Sequence, residues 1–119
     1  LFQCRKCHTP VTVPLDVELI DETDLNLSDS EELLPRGAYV DGGLSDASHG
    51  KLGETAINLL DAYRTLHHPE SRRLIGCCGP DGLNGHNTVC RNGHLVGTER
   101  SDCWMPHALW LDANLINRA

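Results

Sequence analysis

The residues of this chain best suited to chemistry are its six cysteines, and the first two form a C-x-x-C turn. Cys4 and Cys7 enclose Arg5 and Lys6, and two thiolates at this spacing can face one tetrahedral metal ion about 2.3 Å away. The positive side chains between them favour the ionised thiols that bind metals. A strand-like run over residues 11–13 follows, whereas a redox C-x-x-C usually opens a helix. We therefore predict a zinc site that begins at this turn.

Two glycine-containing turns further along the chain are expected to supply the other ligands. Cys78 precedes Gly79, and Cys90 is followed by Gly93, which is free to adopt positive φ. Adjacent Cys77 and Cys78 rarely pair with each other, because a disulfide between neighbours is strained. The predicted ligands of a structural Zn²⁺ ion are Cys4, Cys7, Cys78 and Cys90.

Other ligand sets and other cysteine chemistry stay open at this point. His94 follows Cys90 at a C-x-x-x-H spacing that a metal accepts, although an ordinary surface histidine would look the same. Cys77 and Cys103 are alternative ligands, or small buried apolar residues, which is a common fate of a free cysteine. A second metal site built from Cys77, Cys103, His94 and His107 is a further alternative. Six cysteines also allow three disulfides, and a C-x-x-C allows a redox role.

The composition predicts one small domain with a lean hydrophobic core. The chain has 119 residues, a net charge of −7 at pH 7 and 39% hydrophobic residues, but only 4% aromatic ones. A chain of this length is typical of a single domain. No apolar run reaches the roughly 18–20 residues of a membrane span, and no signal-peptide pattern is present. We therefore expect a single zinc-stapled domain over residues 1–119, of bacterial and cytoplasmic type.

The negative charge is concentrated in one segment. Residues 16–32 carry eight Asp or Glu and no Lys or Arg, and the rest of the chain is nearly neutral. Residues 21–36 are treated as an acidic loop or insertion, whose ordinary interpretation is a solvated loop. Its functional interpretation is an acidic face for a basic protein partner. Nucleic acid is disfavoured as a partner, because phosphate contacts need clustered Lys and Arg.

The pattern of apolar residues predicts a mainly β fold with short helices, a β-rich α+β domain with small antiparallel sheets. Alternating apolar residues predict a strand over 9–20, and a capping box at Ser28–Glu31 predicts a helical turn that continues to Leu34. Residues 54–66 fit a helix slightly better than a buried strand. Residues 103–111 are apolar on both faces, which predicts a final strand in the centre of a sheet.

The cysteine turns resemble those of zinc-ribbon and β-tent domains, a group that includes the yippee-like and cereblon-type domains. The resemblance is carried by the turn residues only: Cys4 and Cys7 before a strand, a long insertion, and a second cysteine turn beside the final strands. It implies a small β fold in which two C-x-x-C turns share one structural zinc. The chain departs from that pattern, since Cys90 opens no C-x-x-C and Cys78 lies twelve residues earlier. The run Gly76–Trp104 also resembles a run in short bacterial proteins of unknown function.

Three functions follow from these features. The first is a non-enzymatic binding or interaction module in which the zinc is structural. The second is an immunity or inhibitor protein that neutralises a basic toxin through the acidic segment. The third is a zinc metalloenzyme with an open coordination position, although no H-E-x-x-H or similar catalytic metal motif occurs. The sequence favours the first function, and it predicts no catalytic residue.

Overall fold

Nine short β-strands form the fold. In the computed structural model, which describes all 119 residues, the strands are connected by turns and by four 3₁₀ segments. The strands are β1 (Phe2–Cys4), β2 (Val17–Leu19), β3 (Ala38–Asp41), β4 (Glu54–Ile57), β5 (Leu66–His67), β6 (Thr88–Val89), β7 (Leu95–Arg100), β8 (Ala108–Asp112) and β9 (Ile116–Arg118). The 3₁₀ segments are Glu22–Asp24, Asp46–Ser48, Leu59–Asp61 and Ser71–Leu74. The predicted mainly β fold is confirmed.

Seven strands form one sheet in the order β2-β3-β4-β8-β7-β6-β5, and β1 and β9 form a separate two-stranded ribbon. Neighbours in the large sheet are antiparallel, except that β2 and β3 run parallel. In the ribbon, Phe2 lies opposite Arg118 and Cys4 lies opposite Ile116. The ribbon therefore joins the first residues of the chain to the last ones.

The central strand β8 divides the interior into two hydrophobic cores. Leu109 and Leu111 contribute to the first core, whereas Ala108 and Trp110 contribute to the second, as the two-residue period of a strand requires. Because β8 lies between β4 and β7, the predicted central strand is confirmed, although it begins at Ala108 and not at Cys103. The first core consists of Phe2, Cys4, Val11, Ile57, Cys90, Val96, Leu109, Leu111 and Ile116, and the second of Leu33, Leu34, Ala38, Val40, Ala56, Ala108 and Trp110.

The helix favoured for residues 54–66 is wrong. Glu54–Ile57 form β4, whose four residues are all buried between β3 and β8. Ala56 lies in the second core and Ile57 in the first, which is strand periodicity. Pairing on both sides therefore outweighs a weak helical spacing. The chain then leaves the sheet through a 3₁₀ turn, where the Asn58 side chain accepts a hydrogen bond from the Leu60 N–H.

The strand predicted over residues 9–20 is much shorter than expected. Only Val17–Leu19 forms a strand, and Pro10 makes no more than an isolated bridge with Gln3. Pro10 and Pro14 have no amide hydrogen to donate, so they interrupt the ladder that the alternating pattern suggested.

The helical turn predicted from Ser28 to Leu34 is absent. Leu33 and Leu34 are buried in the second core. The Leu33 N–H donates to the His107 carbonyl (3.0 Å), and the His107 N–H donates to the Glu31 carbonyl (2.7 Å), so the backbone pairs with the start of β8 instead. All eight acidic side chains of residues 16–32 are exposed, and none forms an ion pair within the chain.

Candidate metal centre

The first turn of the site follows β1. The chain folds back because the His8 N–H donates to the Cys4 carbonyl (2.8 Å) and the Cys4 N–H donates to the Thr9 carbonyl (2.9 Å). His8 adopts a φ of 60°, a left-handed conformation that non-glycine residues seldom take outside turns. The turn brings the sulfur atoms of Cys4 and Cys7 into one group.

The second turn connects β6 to β7. The Gly93 N–H donates to the Cys90 carbonyl (2.9 Å), and the Cys90 N–H donates to the His94 carbonyl (2.8 Å). Gly93 has a φ of 86° and open space where a Cβ would stand, so the backbone conformation and not the packing calls for glycine here. This turn presents the side chains of Cys90 and His94 to the first turn.

The four side chains converge, and three of the distances between their ligand atoms match those around a tetrahedral ion. Their ligand atoms all lie within 4.8 Å of one another. The Sγ atoms of Cys7 and Cys90 are 3.7 Å apart, and the His94 Nδ1 atom is 3.7 Å from the Cys4 Sγ and 3.6 Å from the Cys90 Sγ. Zinc bonds of about 2.3 Å to sulfur and about 2.0 Å to nitrogen place the corners of a tetrahedron about 3.5–3.8 Å apart. The geometry therefore fits three thiolates and one imidazole around a single ion.

Neighbouring polar groups favour the ionised form of one of these thiols. The Thr9 hydroxyl lies 3.1 Å from the Cys7 Sγ, and together with the Asn92 side chain it lowers the pKa of Cys7 to about 5. Burial has the opposite effect on Cys4, whose pKa is raised. A divalent cation supplies the positive charge that buried thiolates otherwise lack, so metal binding and loss of the thiol protons occur together.

The structure brings together three of the four predicted ligands and separates the fourth. Cys4, Cys7 and Cys90 form one group, and the fourth position is taken by His94, which sequence reasoning weighed only as an alternative. Cys78 lies instead in a second group with Cys77 and Cys103. The signal for His94 was present in the sequence as a histidine directly after Gly93, at the end of a turn that begins at Cys90.

The second group of cysteines differs from the first in its surroundings. Cys77, Cys78 and Cys103 are all exposed, and none of the six cysteines of the chain is in a disulfide. The close Cys78 thiol, together with a partial loss of solvent contact and the neighbouring Asp102 carboxylate, raises the pKa of Cys103 to about 12. His107, considered earlier as a partner of these cysteines, places its Nε2 atom 2.9 Å from the Asp102 carbonyl oxygen and does not join the group.

A polar cavity of about 400 Å³ contains a histidine arrangement that sequence reasoning missed. The His86 Nδ1 atom lies 2.7 Å from the Thr98 hydroxyl, and its Nε2 atom lies 2.9 Å from a carboxylate oxygen of Asp112. This order of hydroxyl, imidazole and carboxylate resembles a nucleophile and its base. Thr98, however, is only 2% exposed within strand β7, so a substrate has little access to its hydroxyl.

Comparison of the chain with known protein families, with curated proteins and with solved structures gives no significant match. The resemblance to zinc-ribbon and β-tent domains therefore stays a prediction that depends on the turn residues. None of the helical segments, which are 3₁₀ turns, has the length and apolar character needed to cross a membrane.

Proposed function

We propose that this chain is a zinc-stapled β domain that serves as a non-enzymatic binding module, with one structural Zn²⁺ held by Cys4, Cys7, Cys90 and His94. The observation that carries the proposal is the convergence of these four ligand atoms within 4.8 Å of one another, on two turns that are distant in sequence. Thiolate and imidazole are the ligands that structural zinc sites use.

A structural role is supported by the number of ligands. Four protein ligands complete a tetrahedral zinc site, whereas a catalytic zinc keeps one position for water or substrate. Cys4 and Cys90 are also members of the first hydrophobic core, at 1% and 0% exposure. An ion in this place is shielded by the core on one side and acts on folding, not on a bound substrate.

The location of the site explains what the ion stabilises. The only strand that pairs with β1 is β9, in a ribbon outside the seven-stranded sheet. Cys90 and His94 belong to the turn between two strands of that sheet. A metal bond to both turns therefore crosslinks the ribbon to the sheet. Such a crosslink is useful to a domain whose aromatic content is only 4%.

The proposed binding surface consists of strand β2 and the exposed acidic residues around it. β2 is an outer strand of the sheet and pairs with β3 alone. Val17 and Ile20 are 51% and 79% exposed there, beside the exposed carboxylates of Glu18 and Asp21. An unpaired strand edge with apolar and acidic side chains suits a basic protein partner, because strand pairing supplies affinity and charge supplies steering.

Metal analysis of matched cysteine variants tests the zinc half of the proposal. We expect Cys90→Ser to lose the stapling zinc and to unfold at a lower temperature than the native chain. Cys78→Ser is the control for the melting temperature, which should not change, because its side chain is exposed and belongs to the other group. A Cys90→Ser protein that keeps its zinc content and its melting temperature would contradict the proposal.

Photo-crosslinking tests the proposed binding surface. A crosslinking amino acid in place of Ile20 should capture one basic protein in cells, and the same amino acid in place of Leu83, which is 72% exposed outside the acidic segment, should not. Equal adduct patterns from both positions, or none from position 20, would rule out this surface.

A toxin-neutralising role is the second candidate function, and the eight exposed, unpaired carboxylates of residues 16–32 favour it. Charge complementarity raises association rates more than it raises affinity. Reversing Glu18, Asp21, Asp24 and Glu32 to lysine should therefore slow association with the captured basic protein by at least about tenfold at low salt. An unchanged association rate, or a captured protein without toxicity, would remove this candidate.

A further inference from the structure

The second group of cysteines is assembled from two loops. Cys77 and Cys78 follow the 3₁₀ segment Ser71–Leu74, and Cys103 lies between β7 and β8. Their three sulfur atoms all lie within 4.8 Å of one another. Two adjacent cysteines and one from a distant loop thus present three thiols at one point of the surface.

One buried carboxylate holds all three cysteines in place. Asp102 is 1% exposed, and its two oxygens accept hydrogen bonds from the backbone N–H of Cys77 (2.9 Å), Cys78 (2.9 Å) and Cys103 (2.7 Å). The Trp104 indole N–H donates a fourth hydrogen bond, at 3.0 Å. These donors keep the Asp102 pKa well below its usual range. Asp102 is therefore a positioning residue that orients the cysteine backbones, and its lone pairs are already used.

The close approach of the two loops depends on glycine. A Cβ on Gly79 would stand 2.7 Å from the Ser101 carbonyl oxygen, and a Cβ on Gly76 would collide with the Gly79 carbonyl. The Ser101 N–H donates to the Pro80 carbonyl at 2.9 Å, which joins the loops directly. The three thiols are thus carried by a preformed scaffold.

Hydrophobic packing does not explain why these three positions carry cysteine. A free cysteine is normally among the most buried residue types, because it behaves as a small apolar side chain. All three are exposed here and belong to neither hydrophobic core. The buried Asp102 carboxylate acts as a clamp that holds these three thiols together at the surface. Three such thiols are a ligand set for a soft metal ion.

We propose that Cys77, Cys78 and Cys103 form a second metal site, which binds a thiophilic ion through three thiolates and leaves one side of the ion open to solvent. No fourth histidine, cysteine or carboxylate atom joins this group, in contrast to the four ligands of the first site. The first site is closed and stabilises the fold, whereas the second is open and exchanges its ion, or accepts a ligand from solution, without unfolding the domain.

Titration with Cd²⁺ tests the second site independently of the first. The metal-free protein is kept reduced with a phosphine, and sulfur-to-cadmium charge-transfer absorbance is followed as Cd²⁺ is added. Each site offers three thiolates, so the native chain should bind two equivalents. The Cys77→Ser/Cys78→Ser/Cys103→Ser variant should bind one equivalent with about half the absorbance change, since the absorbance depends on the number of bound thiolates.

The outcomes separate the two sites. The exposed positions of the three cysteines make the triple variant a mild change, and an unaltered circular dichroism spectrum of its metal-loaded form verifies that it folds. Binding of a single equivalent by the native chain that the triple variant retains would overturn the second site and leave the first intact. Binding of a single equivalent that the triple variant loses would support the second site and overturn the first. Asp102→Asn, which keeps every thiol but weakens the clamp, should lower the affinity of the second site only, and an unchanged affinity would contradict the positioning role.

Discussion

The sulfur atoms of Cys7 and Cys90 lie 3.7 Å apart, although 83 residues separate the two cysteines along the chain. This contact joins the turn after β1 to the turn between β6 and β7, and no strand pairing connects β1 to the seven-stranded sheet. A bond between the two turns therefore adds to the first hydrophobic core, in which Phe2 and Ile116 of the ribbon pack with Leu109 of the sheet.

Exchange of the fourth ligand should distinguish metal binding from simple packing. His94→Ala removes one of the four ligand atoms, whereas His94→Cys replaces the imidazole with another zinc ligand. We expect His94→Ala to weaken zinc affinity by at least about tenfold, because even the loss of a group that only supports a ligand has that effect. Competition with a chromophoric chelator measures the affinity. His86→Ala, in the separate polar cavity, is the histidine control and should bind zinc normally. Equal affinity of His94→Ala and the native chain would show that His94 is not a ligand.

The buried ion pair between Glu54 and Arg100 should be the most sensitive polar contact of the large sheet. Two hydrogen bonds of 2.8 and 3.1 Å join the side chains, which are 8% and 6% exposed. Arg100→Met leaves the Glu54 carboxylate buried without its partner, so we expect a loss of about 3–5 kcal/mol in the free energy of unfolding. Urea denaturation at pH 7 measures it. Arg72→Met breaks an exposed pair with Glu70 and should change stability little, and a similar effect of both variants would argue against this role.

Shortening a central side chain should show how strongly the first core depends on β8. Leu109 is 2% exposed and belongs to this core together with Ile57 and Val96. Leu109→Ala should destabilise the zinc-loaded domain by about 2–5 kcal/mol, because the variant loses buried surface and leaves a cavity. Leu83→Ala removes the same atoms at a position that is 72% exposed and should cost less than about 0.5 kcal/mol. Equal losses at both positions would mean that residue 109 is not in a packed core.

Acid should reduce the contribution of the Glu70 carboxylate to the free energy of unfolding. Its carboxylate accepts hydrogen bonds from Arg73 at 3.0 Å and Arg72 at 2.8 Å, and these lower its pKa from the ordinary 4.5. Because the pKa is lower in the folded state, the stabilisation is present above pH 4.5 and is lost as the pH falls through the folded value. Glu70→Gln should therefore lower the urea midpoint at pH 7, and lower it by less at pH 4, where part of the stabilisation has been lost. Glu22→Gln, without an ion pair, is the control and should show no such pH-dependent difference. A Glu70→Gln effect of equal size at both pH values would exclude an ionic origin.

Local turn chemistry made part of the candidate site predictable. Cys4 and Cys7 stand in one turn, and Cys90 opens another that ends at Gly93, so their ligand character follows from short-range spacing. The sequence also favours Cys78 as a ligand, because it lies beside a glycine. Its neighbour in space is Cys103, which is 25 residues away and reaches it through the buried Asp102 carboxylate. A clamp of that kind is a product of tertiary structure and leaves no pattern in the sequence.

The strands likewise differ in whether their own residues or distant partners decide their conformation. β8 was predictable because its residues are apolar on both faces, which only a central strand tolerates. β4 was not, because Glu54–Ile57 contains one acid, one β-branched polar residue and two apolar residues, and this order fits a helix as well as a strand. Its conformation is decided by pairing with β3 and β8 and by the bond from Arg100 to Glu54, all of which are distant in sequence.

X-ray absorption spectroscopy at the zinc edge tests the central claim most directly. The sample is the Cys77→Ser/Cys78→Ser/Cys103→Ser variant loaded with one equivalent of Zn²⁺, so that only the first site can bind. The account predicts three sulfur neighbours at about 2.3 Å and one imidazole nitrogen at about 2.0 Å. A shell without imidazole scattering, a shell with an added water oxygen, or failure of the variant to bind zinc would contradict it.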